Sequence, residues 1–113
     1  MTDEPIRPLD ALERTILARQ AAPNDQSYTT KLLAGGLEMM GGKVIEEAAE
    51  VVEAAGQLDQ TGRKQTTYEA ADLIYHLMVM LAACGVRLED VEAELASRFG
   101  VSGLEEKARR SEK

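Results

Sequence analysis

Lys43-Val-Ile-Glu-Glu-Ala-Ala-Glu-Val-Val-Glu-Ala-Ala-Gly-Gln-Leu58 is the stretch on which the fold turns. Val44, Ala48, Val51, Val52 and Ala55 recur at i, i+4, i+7, i+8 and i+11, the spacing of one face of an α-helix. A helix is expected from about Lys43 to Leu58. Immediately upstream, Gly41 and Gly42 would each cost roughly 1 kcal/mol inside a helix, so the pair marks either a kink or the true start. The polar run from Gln57 to Lys64, with Gly56 and Gly62, reads as a loop. A second long helix is expected from Thr66 or Thr67, where Thr66-Thr-Tyr-Glu69 has the form of a capping box. Leu73, Ile74, Leu77, Met78 and Leu81 supply its apolar face, and Gly85 sits where a left-handed cap belongs. A short connection between two long helices favours an antiparallel hairpin.

Shorter helices flank this hairpin. Residues 1–8 hold two prolines and no periodicity, which suits a loose arm. Asp10-Ala-Leu-Glu13 reads as a capping box with Leu9 as its staple, opening a helix that carries Leu12, Ile16 and Leu17 and ends before Pro23. Ser27 or Asp25 can cap a brief helical stretch through Lys31-Leu-Leu33, which Gly35-Gly36 stops. After Gly85, an amphipathic helix carries Leu88, Val91, Leu95 and Phe99. The segment Ser102-Gly-Leu-Glu-Glu-Lys-Ala-Arg-Arg110 is a weak helix former. No strand alternation and no repeat of 20–50 residues is visible. The expectation is an all-α chain: a helical hairpin of two long helices plus shorter N- and C-terminal helices. The domain spans 9–110, between the arm at 1–8 and a tail at 111–113.

Composition narrows the function. A chain of 113 residues fits one domain. With no Trp and one Phe, its core must rest on aliphatic side chains and alanine. Alanine-rich helices bury little area each, so pairing of two copies into a bundle-like homodimer is expected. The net charge of −7 argues against nucleic acid as a partner, because phosphate backbones demand clustered Lys and Arg. The one cysteine, Cys84, cannot close an internal disulfide. In the apolar run Leu81-Ala-Ala-Cys84 it reads as a buried core thiol in a reducing compartment. No stretch approaches the roughly 18 apolar residues of a membrane span, and the acidic N-terminus lacks an apolar leader core. Cytoplasm is the expected location.

The chemistry lies in Glu46-Glu47-Ala-Ala-Glu50 on the first long helix and Glu69-Ala-Ala-Asp72 on the second. Residues three apart lie about 60° apart around a helix, so Glu47 shares a face with Glu50, and Glu69 with Asp72. An antiparallel hairpin would turn both pairs toward one space. Converging carboxylates repel and need a counter-charge. A hard divalent cation supplies it, and Mg²⁺ commonly bridges carboxylates to substrate phosphates. The competing reading is a solvated acidic stripe through Glu46, Glu50 and Glu53, with Glu69 serving its capping box. The alanines and valines around the acids, as in Ala48-Ala49 and Ala70-Ala71, favour close helix approach and hence convergence. His76, one turn after Asp72, is expected to orient Asp72 by a hydrogen bond rather than to bind metal itself. A single Asp-x-x-x-His argues against a di-iron site, which takes Glu-x-x-His on two helices.

The wider text is recognisable. Glu46-Glu-x-x-Glu50 followed by Glu69-x-x-Asp72 resembles the acidic motif of the all-α nucleotide pyrophosphohydrolases, a superfamily that includes the MazG-type enzymes. Ser27-Tyr-Thr-Thr-Lys-Leu-Leu33, Lys43–Glu50, Tyr68–Leu77, Gly85-Val-Arg-Leu-Glu-Asp-Val91 and Ser102–Lys107 look, more narrowly, like phosphoribosyl-ATP pyrophosphohydrolase of histidine biosynthesis. The resemblance implies a Mg²⁺-dependent homodimer that cleaves phosphoribosyl-ATP to phosphoribosyl-AMP and pyrophosphate. It implies Glu47, Glu50, Glu69 and Asp72 as Mg²⁺ ligands, and Glu46 as a holder of a further metal or of the attacking water. Lys43 and Lys31, inside the resembling segments, become candidates for phosphate contacts, with Arg109 and Arg110 behind them. The family usually carries longer, often basic side chains where this chain has Met39, Gly41 and Gly42. Two rival functions are a house-cleaning nucleoside triphosphate pyrophosphohydrolase and a non-catalytic helical dimerisation module.

Overall fold

The computed structural model describes residues 6–99. It contains α1 (Pro8–Ala21), α2 (Tyr28–Ala55), α3 (Gln60–Ala83) and α4 (Leu88–Ser97), with no strand among the described residues. The segment 102–110, with Arg109 and Arg110, lies outside them, as do residues 1–5. No single helix among the described residues is long and apolar enough to cross a membrane. The chain is all-α, and α2 and α3 form the expected hairpin.

Helix starts differ from the sequence expectation, each for a local reason. Pro8 occupies the first turn of α1, where its missing N–H costs nothing, so Asp10 lies inside the helix and pairs with Arg7 at 3.6 Å. Glu13 turns outward to α4 instead of completing a box: its Oε2 accepts from the Leu88 backbone N–H at 2.7 Å and from Arg87 Nε at 3.2 Å. At α2 the Ser27 Oγ accepts from the Thr30 N–H. The break then falls at Gly36, whose φ of 79° and ψ of −178° are non-helical, while the helix runs through Gly41 and Gly42 unbroken.

Gln60 opens α3 well before Thr66, because Asp59 Oδ1 caps it by accepting from the Gly62 N–H at 2.7 Å. Gly62 is therefore helical, and a Cβ there would collide with the Gln57 carbonyl. Thr66 Oγ1 donates back to the Gly62 carbonyl, so it is no cap. Gly85, at φ 75°, closes α3: Val86 N–H reaches the Leu81 carbonyl and Gly85 N–H that of Ala82. Cys84 is the residue at which the helix ends, and it is exposed rather than buried.

Ile16, Leu32, Met40, Met78, Val79, Ala82 and Leu88 form the core, joining all four helices. The hairpin seam is less expected. On α2 the buried positions below Gly36 are Met40, Glu47 and Ala54, seven residues apart. The apolar stripe Val44, Ala48, Val51, Val52 and Ala55 is not the buried line; Val52 and neighbouring Ile45 are 73% and 74% exposed. On α3 the seam holds Gly62, Glu69 and His76, while Ile74 and Leu77 stay exposed. Leu95 and Phe99 of α4 are exposed as well. Within one chain the hairpin turns its acids inward and leaves an aliphatic flank uncovered.

Candidate metal centre

Glu47 and Glu69 are 6% and 8% exposed, facing one another from antiparallel helices in the seam. Glu50, one turn nearer the connection and half-buried, joins them. Each of the three offers a carboxylate oxygen, and those oxygens lie within 4.8 Å of one another. Two of the oxygens, Glu47 Oε2 and Glu69 Oε2, are buried without a hydrogen-bond partner. Buried polar atoms are nearly always partnered, so this pair of bare acceptors fits a ligand that donates hydrogen bonds or brings positive charge. An anionic, oxygen-only donor set on rigid helices fits a hard divalent cation.

The crowding has an electrostatic signature. Hydrogen bonding to Glu69, and then to Glu47, together with burial and like-charge repulsion, pushes the Glu50 carboxyl up to about 7. On the other oxygen of Glu69, Gln65 Nε2 donates to Oε1 at 2.6 Å from one turn earlier on α3. Gln65 carries no charge and drew no notice in the sequence, although its i, i+4 spacing to Glu69 was there to be read.

Lys43 bridges the rim of the cluster. Its Nζ lies 3.3 Å from Glu46 Oε2 and 3.9 Å from Glu47 Oε1. Glu46 foremost, with Tyr28 and Glu47 adding, raises the lysine's pKa against the lowering effect of burial. Glu46 itself is exposed and stands outside the group of three. Asp72 is half-buried on the turn after Glu69, and its carboxylate does not join the group either. Lys31 is exposed on the first limb of α2, before Gly36, and its ammonium pairs with none of the acids among the described residues.

His76 is 5% exposed and its bonds differ from those expected. Nδ1 lies 2.8 Å from the main-chain carbonyl of Asp72, not from its carboxylate. A carbonyl only accepts, so Nδ1 carries the proton and Nε2 is left to accept from the Tyr28 hydroxyl at 3.2 Å. Tyr28 also stacks on Tyr75, centroids 6.2 Å apart with 22° between planes, and Tyr75 is tied to Thr29. Tyr28 sits within the Ser27–Leu33 segment, yet an uncharged ring at a helix start gave the sequence reading no chemical role to assign.

A family model for phosphoribosyl-ATP pyrophosphohydrolase matches residues 9–99, which carry all of these groups. The chain belongs to the phosphoribosyl-ATP pyrophosphohydrolase family. It is 52% identical over 110 residues to the phosphoribosyl-ATP pyrophosphatase of Rhodopirellula baltica, covering 97% of this chain and 92% of that protein. The enzymes of the same name from Rhizorhabdus wittichii and Dinoroseobacter shibae are 52% and 51% identical over 102 residues. Those matches cover 90% of this chain and 93% and 97% of the two relatives. Membership makes the chain a hydrolase of a pyrophosphate bond rather than a helical pairing module.

Proposed function

We propose that this protein hydrolyses the α–β phosphoanhydride of phosphoribosyl-ATP, releasing pyrophosphate and phosphoribosyl-AMP in the second step of L-histidine biosynthesis, in the cytoplasm. The observation that carries the reading is the convergence of Glu47, Glu50 and Glu69 with two partnerless buried oxygens, inside a chain of this family. Mg²⁺ would be held by these three, with Asp72 from the adjoining turn as the fourth ligand. Bound there, the cation would neutralise polyphosphate charge and polarise the attacked phosphorus.

The chain's own groups divide the remaining work. Water adds to one phosphorus of the anhydride, the bridging P–O bond breaks, and pyrophosphate leaves. Glu46, exposed at the rim and held by Lys43, would orient that water and take its proton. Lys43 can exchange a carboxylate partner for a phosphate oxygen as substrate enters. Most of the acceleration would come from positioning and charge stabilisation. A second copy would cover the aliphatic flank through Ile45, Val52, Ile74 and Leu77, which a lone chain leaves exposed.

Pyrophosphate release is measured with phosphoribosyl-ATP and with a panel of nucleoside triphosphates, with and without Mg²⁺. Turnover of phosphoribosyl-ATP that exceeds the panel and needs the cation supports the assignment. Preference for the panel would make the protein a house-cleaning enzyme instead.

A further inference from the structure

We infer that Tyr28 is the purine platform of this site, stacking the adenine of the substrate on the ring face that Tyr75 does not cover. The inference rests on the nucleotide reading above and deepens it.

Three observations meet at this ring. Tyr28 is 47% exposed although one side of it lies against Tyr75. It is nevertheless held still: its hydroxyl is spent on Nε2 of buried His76, and His76 is held in turn by the Asp72 carbonyl. Tyr75 beneath it is fixed by Thr29. A ring anchored through its polar end to a buried group, with an apolar face outward, binds by stacking rather than by hydrogen bonding. Because that hydroxyl's one proton is already committed to His76, the phenol is a poor donor to phosphate.

Position supports the same assignment. His76, which anchors the ring, lies seven residues beyond Glu69 on α3, about 10 Å along the helix axis. That span suits the reach from a nucleotide's anhydride to its base. Lys43 belongs to the same helix as Tyr28, and its Nζ lies 3.9 Å from Glu47 Oε1 and 3.3 Å from Glu46 Oε2 at the rim of the acids. The hairpin thus offers carboxylates for a cation, an ammonium beside them for phosphate, and, through His76 on the same α3 that bears Glu69, an aromatic face for a base. Base–aromatic stacking is tolerant of base identity, so Tyr28 supplies affinity for the purine and leaves recognition of the phosphoribosyl arm to other groups.

The test separates base from phosphate. Binding of AMP and of inorganic tripolyphosphate, each with Mg²⁺, is measured by calorimetry on the wild type, Tyr28→Leu and Tyr28→Phe. Tyr28→Leu is expected to weaken AMP binding roughly tenfold and raise KM for phosphoribosyl-ATP by a similar factor. Tripolyphosphate binding and kcat should stay within about twofold. Tyr28→Phe, which keeps the face and loses the hydroxyl, should retain most of the AMP affinity. Equal loss for both ligands, or loss for neither, overturns the platform. Should Tyr28→Leu fail to fold, the Tyr28 ring resonances of the wild type carry the test: an upfield shift on AMP titration supports stacking, and no shift overturns it. Wild type that turns over phosphoribosyl-ATP with no Tyr28 effect sinks the platform alone; wild type with no turnover sinks the functional reading as well.

Discussion

Gln65 donates from Nε2 to Oε1 of Glu69 at 2.6 Å, leaving Oε2 of the same carboxylate buried and partnerless. A neutral amide thereby occupies one oxygen of Glu69 and leaves the other bare, without adding charge to the cluster. Partners of this kind typically change metal affinity by 10- to 100-fold when removed. Gln65→Leu is expected to weaken Mn²⁺ or Mg²⁺ binding about tenfold while the helix content is retained. Titration followed by calorimetry or Mn²⁺ electron paramagnetic resonance reads the affinity, and an unchanged value would contradict the role.

The elevated Glu50 carboxyl sets a pH dependence with a definite sign. Its folded-state pKa, about 7, stands above the ordinary 4.5. Between those values the folded chain binds more protons than the unfolded one, so metal-free stability should fall as pH rises through that window. Glu50→Gln should flatten the slope and raise the melting temperature near pH 7. Thermal melts in chelator at pH 5 and pH 7.5 decide the matter; a wild-type protein that becomes more stable across the interval, with Glu50→Gln unchanged, would refute it.

Glu47→Gln and Glu69→Gln should each cost at least 100-fold in kcat if these groups hold the cation. In the metal-free protein both changes should be neutral or stabilising, because each relieves repulsion among the three acids. Steady-state kinetics and melts on the same samples test both halves. A large fall in melting temperature would point to a structural duty for the carboxylates.

Glu13 ties α1 to the start of α4 by accepting from the Leu88 N–H and the Arg87 guanidinium. Arg87 first, then the Leu88 N–H, hold its pKa below the usual carboxylate value. Its contribution is present above the unfolded-state pKa and lost as pH falls through the lower folded value. Glu13→Ala leaves the Leu88 donor without this partner and should cost about 1–2 kcal/mol. Urea titration at neutral pH measures it, and the difference from wild type should shrink in acid.

Two glycines of α2 should respond in opposite directions. Gly36 has φ of 79° with open space around its Cα, so Gly36→Ala meets no clash and still strains the backbone, by about 1 kcal/mol or more. Gly42 is helical, exposed and equally open, so Gly42→Ala should stabilise by up to about 1 kcal/mol. Denaturant midpoints on both variants test the contrast. Matching signs would show that Gly36 is not the break.

The hairpin and its acids were legible because aliphatic periodicity and i, i+3 carboxylate pairs are local patterns. Tertiary contacts hid the rest. Gly62 reads as a loop until the Gln57 carbonyl against it is known, and Glu13 reads as half of a local box until α4 is seen to need a cap. The stripe from Val44 to Ala55 points to a buried face, yet the seam chose Met40, Glu47 and Ala54. Periodicity reports which face is apolar, not which neighbour will cover it. Cys84 follows the same logic: its apolar neighbours suggest burial, whereas the helix ends there and exposes it.

The close approach of Gly62 to the Gln57 carbonyl constrains how this fold can vary. With no room for a side chain at 62, the four residues Gly56 to Asp59 act as a calibrated spacer between the helices that bear Glu47 and Glu69. Lengthening or shortening that turn would slide one carboxylate past the other, whereas added length beyond the ends of the hairpin leaves their alignment intact. Tolerance to insertion should therefore be lowest at one of the most solvent-accessible corners of the molecule.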